Sequence, residues 1–588
     1  MSPSTSQRID PGPPPTDGDD QLAPDAWGFK DTQFVVLPNG NAMLSGGRYA
    51  LSGTELPALV PWVRQVLANP FVPRPASAGR FPAPVPEPRL PAAFLREVEL
   101  LLSPDAVSTG PLERLRRGHG HTLDEMYEIK HGGLRRVPDA VVFPGSTEDV
   151  ARIVQLALDH DIVLVPYGGG TNVSEALRCP TEEPRSIVAV DMRRMNRIRW
   201  IDKANRLACI EAGAVGRHIT DQLAAHGVTL GHEPDSYEFS TLGGWVATNA
   251  SGMKKNRYGN IEDLVVDLEA VMPGGIIRRA ATTPRESVGP DPRRWLFGSE
   301  GTLGIVTSAI VKIFALPERT EHDALLFPSF EDGVAFLNDL SRSGAVPASV
   351  RLVDNLQFQL SQTLRGPASG LQSAKRRAER WFVTTVRGLD PTKMVACTLL
   401  YEGTDDEVRR QMRMVRRLSS KRGAMRAGSE NGKKGYQLTF GIAYIRDFVL
   451  KYGVLAESFE TSVEWSRALE LCTRVKARVA REASARGVQG PPFITCRVTQ
   501  VYQTGVCIYF YLGMNDDGLA DPLGTYGAVE HAAREEILQC GGALSHHHGV
   551  GKRRQGFLPE VHAPVALEWL RALKTSVDPR NVFGIGNL

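Results

Sequence analysis

The chain has 588 residues, more than one hydrophobic core normally supports, so we expect two or three packed units. Hydrophobic residues make up 42% and charged residues 23%, and the formal charge of +3 comes from interspersed signs, which gives no case for nucleic acid as the main partner. Seven scattered cysteines, no secretory signal and no apolar run near the ~20 residues that span a bilayer predict an intracellular protein with reduced thiols, soluble or at most peripheral on a membrane.

The first part of the chain is rich in proline. Residues 1–26 combine Pro and Asp with few apolar side chains, which predicts a disordered tail. The region 27–133 contains a second proline-rich stretch at 70–91, which predicts an extended arm over the surface. Apolar residues at helical spacing follow at 94–102 and 112–127, so we expect this region to be partly extended and mostly helical.

An α/β pattern begins after Val137. A short apolar run precedes Ser146, which has the chemistry of a helix N-cap with acidic residues in the first turn. The predicted helix 150–160 leads into a buried strand at 162–165, which ends at a glycine loop. Strand-like runs at 186–190 and 207–211 continue the unit, so we predict an α/β domain over 134–316.

The chain restarts after Pro317 with mixed elements. Strands are predicted at 350–353, 395–401 and 506–512, and helices at 407–418 and 530–538. This order predicts a second, α+β domain over 317–588.

The glycine loop is the first candidate binding site. Gly168, Gly169 and Gly170 follow a buried strand directly, so successive backbone N–H groups can face one anion without obstruction. Thr171 and Asn172 add further donors. Taken alone, a glycine triplet is more often a plain turn, and this one lacks the G-x-G-x-x-G of a Rossmann dinucleotide site.

Two later segments sharpen this prediction. G-H-E-P-D-S at 231–236 leads through S-T-L-G-G to N-A-S-G at 249–252, and G-S-E-G-T-L-G-I-V occupies 298–306. Small residues at this density form a flat surface for a large planar ring, and three unrelated loops would require three coincidences in the correct order. The three-part pattern resembles the FAD-binding domain of the vanillyl-alcohol-oxidase (PCMH) type, over about residues 134–316. The resemblance implies a fold of α/β and α+β parts, with a two-part FAD domain, an α+β cap or substrate domain and an N-terminal, mostly helical extension.

The resemblance also implies which residues bind FAD. Because the glycine loop has no His of the kind that tethers flavin in some relatives, we predict that FAD is bound non-covalently. The implied cofactor-binding residues are Pro166, Tyr167, Gly168, Gly169, Gly170, Thr171 and Asn172 for the pyrophosphate, and Asp235, Ser236, Tyr237, Glu238, Phe239, Ser240, Thr241, Thr248, Asn249, Ala250, Ser251, Glu300, Gly301, Thr302, Leu303, Gly304, Ile305 and Val306 for the rest.

Three consecutive histidines, His546, His547 and His548, are the first candidate catalytic feature. They cannot all lie on one face of a regular element, so they predict a loop with imidazoles aimed differently. No H-x-x-x-H or carboxylate spacing supports a metal site, so we predict none and favour acid/base or anion-binding roles. A surface histidine cluster without a role is the alternative.

Three further features have both a functional and a structural interpretation. Arg446 is a candidate anion ligand, although an Arg beside an Asp is more often its ion-pair partner. Arg351 lies between small and apolar residues. Tyr509 and Tyr511 share one face of a predicted strand, where aromatic residues are ordinarily part of the core or sheet surface.

Motifs outside the FAD domain resemble one family closely. A-Y-I-R-D at 443–447, E-S-F-E-T-S at 457–462, C-R-V-T-Q at 496–500 and S-H-H-H-G-V-G-K at 545–552 are similar to those of the alkyldihydroxyacetonephosphate (alkylglycerone-phosphate) synthases. The resemblance implies a transferase of ether-lipid biosynthesis that exchanges the acyl chain of 1-acyl-dihydroxyacetone phosphate for a long-chain fatty alcohol. It implies a covalent adduct between flavin N5 and substrate C1, with no net redox change.

The same resemblance implies residue roles. Tyr509 removes a C1 proton beside the histidine run, and Arg446 and Arg351 bind the substrate phosphate because guanidinium groups grip phosphate bidentately. Ser458 and His232 correspond to further active-site positions. We expect nearby His and Arg charges to lower the pKa of Tyr509, since a phenol of pKa ~10 is otherwise a poor base.

Targeting and partners are also carried over from the resemblance. It implies a peroxisomal or glycosomal protein, peripheral on the luminal membrane face, and a homodimer. A basic and aromatic segment is one candidate membrane contact, and a solvated linker helix is the alternative. Its residues are Lys375, Arg376, Arg377, Arg380, Trp381 and Phe382.

Two rival functions remain open from the sequence. An FAD-dependent 2-hydroxy-acid dehydrogenase or oxidase would share the FAD domain. A flavin-bearing binding protein with an inactive site is the other, although Arg446, Tyr509 and His546–His548 argue against it.

Overall fold

The computed structural model describes residues 8–15, 21–74, 84–368 and 370–587. Parts of the predicted disordered tail and of the predicted extended arm, and residue 588, therefore lie outside the described residues. The described parts of the tail are held against the fold rather than free, because Ile9 and Ile201 exchange backbone hydrogen bonds of 2.9 and 2.8 Å. Residues 84–91 are extended as predicted, and the backbone N–H of Arg89 donates to Asp139 at 2.8 Å.

The N-terminal region is a small sheet followed by helices. The predicted helix 112–127 is two helices, because the chain turns at 118–121, where a Cβ on Gly120 would collide with Asn172 of the glycine loop. The elements are strands β1 (Phe34–Val36), β2 (Ala42–Leu44), β3 (Glu55–Leu56) and β4 (Val107–Ser108), and helices α1 (Leu59–Leu67), α2 (Ala92–Leu101), α3 (Pro111–Arg117) and α4 (Leu123–His131).

The second unit contains two larger sheets and one two-stranded sheet. Its elements are strands β5 (Ala140–Val142), β6 (Val163–Tyr167), β7 (Ile187–Asp191), β8 (Ile198–Asp202), β9 (Leu207–Glu211), β10 (Val228–Thr229), β11 (Val265–Met272), β12 (Gly275–Ile277), β13 (Ile305–Lys312) and β14 (Phe314–Ala315), and helices α5 (Thr147–Asp159), α6 (Gly216–Ala225), α7 (Leu242–Thr248), α8 (Lys255–Tyr258) and α9 (Ile261–Leu264). One of the larger sheets has the order β4-β5-β7-β6, and the other has the order β12-β11-β13-β9-β8.

Local chemistry places the glycine loop at a sheet edge. The Ser146 hydroxyl accepts from the backbone N–H of Asp149 and begins α5, as predicted. Strands β6 and β7 pair in parallel and are buried on both faces, which explains their unbroken apolar runs. Strand β6 ends at Tyr167, so Gly168 opens at the carboxyl edge of the sheet, where ligands bind in open α/β folds.

The third unit is built on one seven-stranded sheet with the order β18-β15-β17-β16-β20-β21-β19. Its elements are strands β15 (Arg319–Phe327), β16 (Ser349–Val353), β17 (Val395–Gly403), β18 (Met425–Arg426), β19 (Val454–Glu464), β20 (Phe493–Val501) and β21 (Gly505–Asn515), and helices α10 (Phe330–Ser341), α11 (Asn355–Thr363), α12 (Gly370–Trp381), α13 (Asp405–Ser420), α14 (Ser429–Ile442), α15 (Ile445–Leu450), α16 (Ala468–Ala485), α17 (Pro522–Gln539), α18 (Gly551–Arg554), α19 (Leu558–Val561) and α20 (Pro564–Val577). A five-residue π-helix, Phe382–Val386, continues α12.

The register of the seven-stranded sheet assembles a row of polar side chains. Tyr509 on β21 is paired with Glu460 on β19 and with Arg497 on β20. Tyr511 is paired with Ser458 on β19. Since directly paired residues project from the same face, these side chains share one surface of the sheet.

The end of the chain returns to the second unit. The backbone N–H of Leu164 on β6 donates to the Val582 carbonyl at 2.8 Å, and Val582 and Phe583 are buried in the core of the second unit. The second and third units are therefore joined by the end of the chain and are not simply consecutive, separate domains. None of the described helices is long and apolar enough to cross a membrane.

Candidate active site

A cavity of about 410 Å³ lies between the second unit and the seven-stranded sheet. Its size is typical of a cofactor or ligand site. The glycine loop, the two later motifs and most of the candidate catalytic residues contribute to its wall. The structure thus brings together segments that are far apart in sequence.

The glycine loop fits a phosphate group. A Cβ on Gly168 or Gly169 would collide with Thr241 or with the Phe239 carbonyl, so only glycine lets the loop pack here. Within the described residues, the backbone N–H groups of Gly169, Gly170 and Thr171 have no protein acceptor, although the loop lines the cavity. Unpaired N–H groups that face a cavity are the donors that a pyrophosphate requires.

Most predicted cofactor residues line the cavity. Those on its wall are Pro166, Tyr167, Gly168, Gly169, Gly170, Thr171, Asn172, Asp235, Ser236, Ser240, Thr241, Thr248, Ala250, Ser251, Glu300, Gly301, Gly304, Ile305 and Val306. Six others, Tyr237, Glu238, Phe239, Asn249, Thr302 and Leu303, lie behind it in the structure. They support the wall: Leu303 is a core residue and the Phe239 ring packs edge-on against Trp27.

Glu300 has a structural task that its motif did not predict. Its carboxylate accepts from the Ser174 hydroxyl at 3.0 Å, and from the backbone N–H groups of Val550 and Gly551 at 3.0 and 2.8 Å. These two residues follow the histidine run, separated from it by Gly549. Glu300 therefore fastens the histidine loop to the glycine-loop side of the cavity.

The hydroxyl of Tyr509 is the centre of the polar end of the cavity. It lies 3.1 Å from Ser458 Oγ and 3.1 Å from His548 Nε2. The Arg497 guanidinium lies over the Tyr509 ring, 4.5 Å from its centroid. Sequence reasoning predicted Tyr509, Ser458 and His548 but missed Arg497, although its strand motif was part of the resemblance.

The expected activation of Tyr509 by positive charge is wrong. Burial raises the pKa of Tyr509 well above its ordinary value, and Tyr511 and Asp235 add to this effect. Arg497 lowers the pKa but does not offset burial. The phenol therefore stays protonated at neutral pH and needs a partner that takes its proton.

The three histidines occupy different environments, as predicted for a loop. His547 and His548 line the cavity, whereas His546 lies behind the wall, with Nε2 2.6 Å from the Tyr502 hydroxyl. Burial lowers the pKa of His546 to about 3. His546 Nδ1 is hydrogen-bonded to His547 Nδ1 at 2.8 Å, and ligand atoms of these two histidines and of Cys507 lie within 4.8 Å of one another, a spacing that could hold a metal ion. The absence of a bound metal stays a prediction.

The two candidate arginines both line the cavity, and both also make ion pairs. Arg446 Nε and Nη2 donate to Asp447 at 3.1 and 3.0 Å, and Nη1 donates to the His121 carbonyl. Two of its five N–H groups remain for a ligand. Arg351 pairs with Asp235 and donates to Thr439, while its Nε is buried without an acceptor in the described part of the chain.

His232 is not brought to the cavity. Its ring lies edge-on to Trp245, with centroids 4.7 Å apart, and within the described residues neither ring nitrogen has a hydrogen-bond partner. Burial lowers the pKa of His232 to about 3, so the ring is neutral. Its active-site role stays a prediction.

Apolar side chains, most of them from one packed cluster, line a part of the cavity that we call the apolar limb. Sequence reasoning missed it, because its side chains come from seven separate elements and an apolar helix face looks the same whether it faces core or cavity. The apolar residues of this limb are Leu59, Trp62, Val63, Leu67, Leu360, Ile442, Ile445, Val449, Val454, Ala456, Phe493 and Leu512.

Comparisons with known proteins agree with this site. The FAD binding domain family matches residues 138–281, and the family of FAD linked oxidases, C-terminal domain, matches residues 316–588. An alkyldihydroxyacetonephosphate synthase of Caenorhabditis elegans is 42% identical over 99% of this chain and 97% of its own length. That of Dictyostelium discoideum is 32% identical over 85% and 81%. A solved alkyldihydroxyacetonephosphate synthase structure superposes with a TM-score of 0.82 at 29% identity, covering 96% of this chain and 98% of the other.

The two-part fold and the site define a flavoprotein with an FAD-linked-oxidase type of C-terminal domain, and FAD is its cofactor. More narrowly, the chain belongs to the alkyldihydroxyacetonephosphate synthase family. These findings confirm the predicted fold class, cofactor and family.

Acid precipitation is expected to release all of the FAD into the supernatant. The glycine loop, from Pro166 to Asn172, contains no histidine that could tether the flavin. The measurement is flavin absorbance in the supernatant and pellet. Yellow colour that stays with the precipitated protein would contradict non-covalent binding.

Proposed function

We propose that the protein exchanges the acyl chain of 1-acyl-dihydroxyacetone phosphate for a long-chain fatty alcohol, giving the 1-alkyl product and a fatty acid. The supporting observation is that one cavity joins a phosphate-binding glycine loop, a buried tyrosine–histidine pair, two arginines and an apolar limb. Each part matches one portion of the reactants. Bound oxidised FAD supplies an electrophilic ring nitrogen, N5, to substrate C1.

Tyr509 and His548 together carry out the proton transfer. The phenol is 3.1 Å from the imidazole, within hydrogen-bond reach, and both groups are partly buried and line the cavity. Ser458, 3.1 Å from the same hydroxyl, fixes the phenol oxygen between two partners. Tyr509 therefore takes the C1 proton while His548 accepts the phenolic proton.

The two arginines bind the substrate phosphate. Arg446 and Arg351 stay charged, and each has N–H groups that its protein partners leave unused. Their ion pairs with Asp447 and Asp235 hold the guanidinium planes in place before substrate arrives. This pre-organisation reduces the entropy lost on binding.

Arg446→Lys is expected to reduce activity by at least about tenfold, with fold and FAD content intact. Lysine keeps the charge but loses the planar fork that binds phosphate and Asp447 together. The measurement is alkyl product formed from acyl-dihydroxyacetone phosphate and labelled hexadecanol. The exposed Arg342→Lys is the matched control. Nearly unchanged activity would mean that Arg446 is only the structural partner of Asp447.

The apolar limb accommodates the long chains. Leu360, on α11, lies in its wall, and Arg376 on α12 donates to the carbonyl of Gly366, in the segment that connects α11 to α12, at 3.0 Å. Helix α12 and its π-helical extension expose Leu371 (88%) and Trp381 (60%) among basic side chains. These residues support α12 as the membrane contact through which a lipid alcohol reaches the limb. A luminal peroxisomal or glycosomal location and a homodimer complete the proposal by family membership.

A further inference from the structure

Glu460 is a buried carboxylate that the histidine loop is built around. Its oxygens accept from the Ser545 hydroxyl at 2.7 Å and from the backbone N–H groups of His546, His547 and His548. Its side chain is 1% exposed. One carboxylate on β19 therefore orients three consecutive residues of a loop that has no regular structure of its own.

The same carboxylate lies next to the ring of His548. Glu460 Oε1 is 3.5 Å from His548 Nδ1, and the opposite ring nitrogen, Nε2, is 3.1 Å from the Tyr509 hydroxyl. Tyr509, His548 and Glu460 thus form a continuous line of three titratable groups. Cross-strand pairing of Glu460 with Tyr509 fixes both ends of this line on one sheet face.

This arrangement selects one tautomer of His548. His548 Nδ1 makes no hydrogen bond within the described residues, and the Glu460 carboxylate at 3.5 Å is its nearby charged group. This negative charge favours the form that carries its proton on Nδ1, because the proton then lies on the side of the ring next to the carboxylate. The lone pair is left on Nε2, facing the phenolic O–H. Without the carboxylate, the ring would lose both the preference for this tautomer and the stabilisation of its protonated form.

We propose that Glu460 is the positioning residue that makes His548 the acceptor of the Tyr509 proton. The inference rests on the proposed function and deepens it. The Tyr509 O–H bond breaks with its electron pair left on oxygen, and a new N–H bond forms at His548 Nε2. The phenolate then takes the C1 proton of the substrate, whose electron pair stays on carbon, and the imidazolium faces Glu460. When C1 regains a proton before the product leaves, the same groups return to their starting state, so no proton is gained or lost.

The charges around these groups are consistent with this state at neutral pH. Burial alone would raise the pKa of Glu460, but His548, His547, His546 and Arg554 hold it well below its ordinary value. Burial lowers the pKa of His548 well below its ordinary value, with Glu460 opposing and His547, Arg554 and Arg534 adding to it. The groups that donate to Glu460, the Ser545 hydroxyl and three backbone N–H groups, stabilise its ionised form even while the histidines are neutral. Neutral His548 carries a lone pair, but burial makes it a weaker base and Tyr509 a weaker acid than usual. The proton transfer is therefore uphill, and the negative charge of Glu460 stabilises the imidazolium that it forms. Burial, Tyr511 and Asp235 raise the pKa of Tyr509, whereas Arg497 lowers it.

Glu460→Gln in the FAD-loaded protein tests this role. It is expected to lower the rate of alkyl product formation at neutral pH by at least about 100-fold, the usual worth of acid/base assistance. It is also expected to slow the loss of deuterium from acyl-dihydroxyacetone phosphate that is labelled at C1. This loss is measured in the absence of alcohol, so that it reports the proton transfer alone. Glu464→Gln, at the exposed end of the same strand, is the matched control and should behave as wild type.

The pH profile separates a proton relay from a loop anchor. Between about pH 7.5 and 9.5, below the ordinary range of a phenol, wild-type kcat/KM should be nearly flat, whereas the Glu460→Gln rate should rise with pH because hydroxide must take the phenolic proton. Burial raises the pKa of Glu457 on the cavity wall to about 7, but Glu457 is present in every variant. The test therefore compares the pH profile of kcat/KM of each variant with that of the wild type, and does not depend on where any one profile bends.

Three outcomes decide the inference. A Glu460→Gln protein whose rate falls by the same factor at every pH, or does not fall, overturns the relay and leaves Glu460 as a loop anchor. If this variant does not retain FAD, His548→Gln decides, since it leaves the loop contacts of Glu460 in place: a rising profile supports the relay and a flat one overturns it. If the wild-type protein forms no alkyl product from acyl-dihydroxyacetone phosphate and fatty alcohol, the proposed function itself is wrong, and the inference falls with it.

Discussion

Tyr509→Phe is expected to reduce alkyl product formation by about 100- to 10,000-fold, the range that acid/base assistance typically contributes. The substitution removes one hydroxyl and nothing else. The ring remains under Arg497, and its neighbours on the sheet are unchanged. Since Ser458 and His548 both contact that hydroxyl, phenylalanine leaves substrate C1 without a base and His548 without its donor.

FAD content is the internal control for this variant, because the hydroxyl has no contact with the glycine loop. It should equal that of wild type by absorbance. Tyr452→Phe is the matched substitution, since Tyr452 is only partly buried and stacks on Phe71 with centroids 4.1 Å apart, outside the cavity wall. Retention of more than about a tenth of the wild-type rate by Tyr509→Phe would contradict the role of the phenol.

Turnover is expected to proceed under strict anaerobiosis without any electron acceptor, and to be lost when FAD is first reduced with dithionite. An exchange of acyl for alkyl chains has no net redox change, so oxidised flavin is required but not consumed. A 2-hydroxy-acid dehydrogenase behaves in the opposite way, because substrate alone bleaches the ~450 nm flavin band and oxygen or an acceptor restores it. The two functions differ most in this experiment.

The measurement combines product formation with the flavin spectrum in the same anaerobic cuvette. Reoxidation of the dithionite-treated protein in air should restore activity, which controls for damage during reduction. Turnover that needs oxygen or an electron acceptor, or full activity with reduced flavin, would contradict the synthase proposal. The hydroxy-acid oxidoreductase would then be the better hypothesis, with the histidine run as its base.

Local chemistry made the cofactor half of the site predictable. The glycine loop, S-T-L-G-G and G-S-E-G-T-L-G are contiguous motifs whose backbone shape is dictated by small residues, and the structure places parts of all three on one cavity wall. The helix cap at Ser146 and the strand at Leu207–Glu211 were predictable for the same reason, since the determinants lie within a few residues of one another.

The proton-handling half depends on strand register, which the sequence does not display. Glu460 lies within a predicted motif, but nothing in E-S-F-E-T-S shows that β19 pairs with β21 so that Glu460 faces Tyr509. The pKa of Tyr509 was predicted with the wrong sign because burial, which depends on the whole fold, outweighs the one cation beside the ring. The apolar limb was missed because side chains from α1 and β20 meet only in three dimensions.

Glu300 has a consequence for the path that reactants take. Its carboxylate ties Val550 and Gly551 to the glycine-loop side, and Val582 is hydrogen-bonded into strand β6 of the same unit. A hinge motion that separated the second and third units would have to break all three of these hydrogen bonds. Entry of reactants is therefore expected to depend on movement of side chains and loops at the cavity wall rather than on separation of the two units.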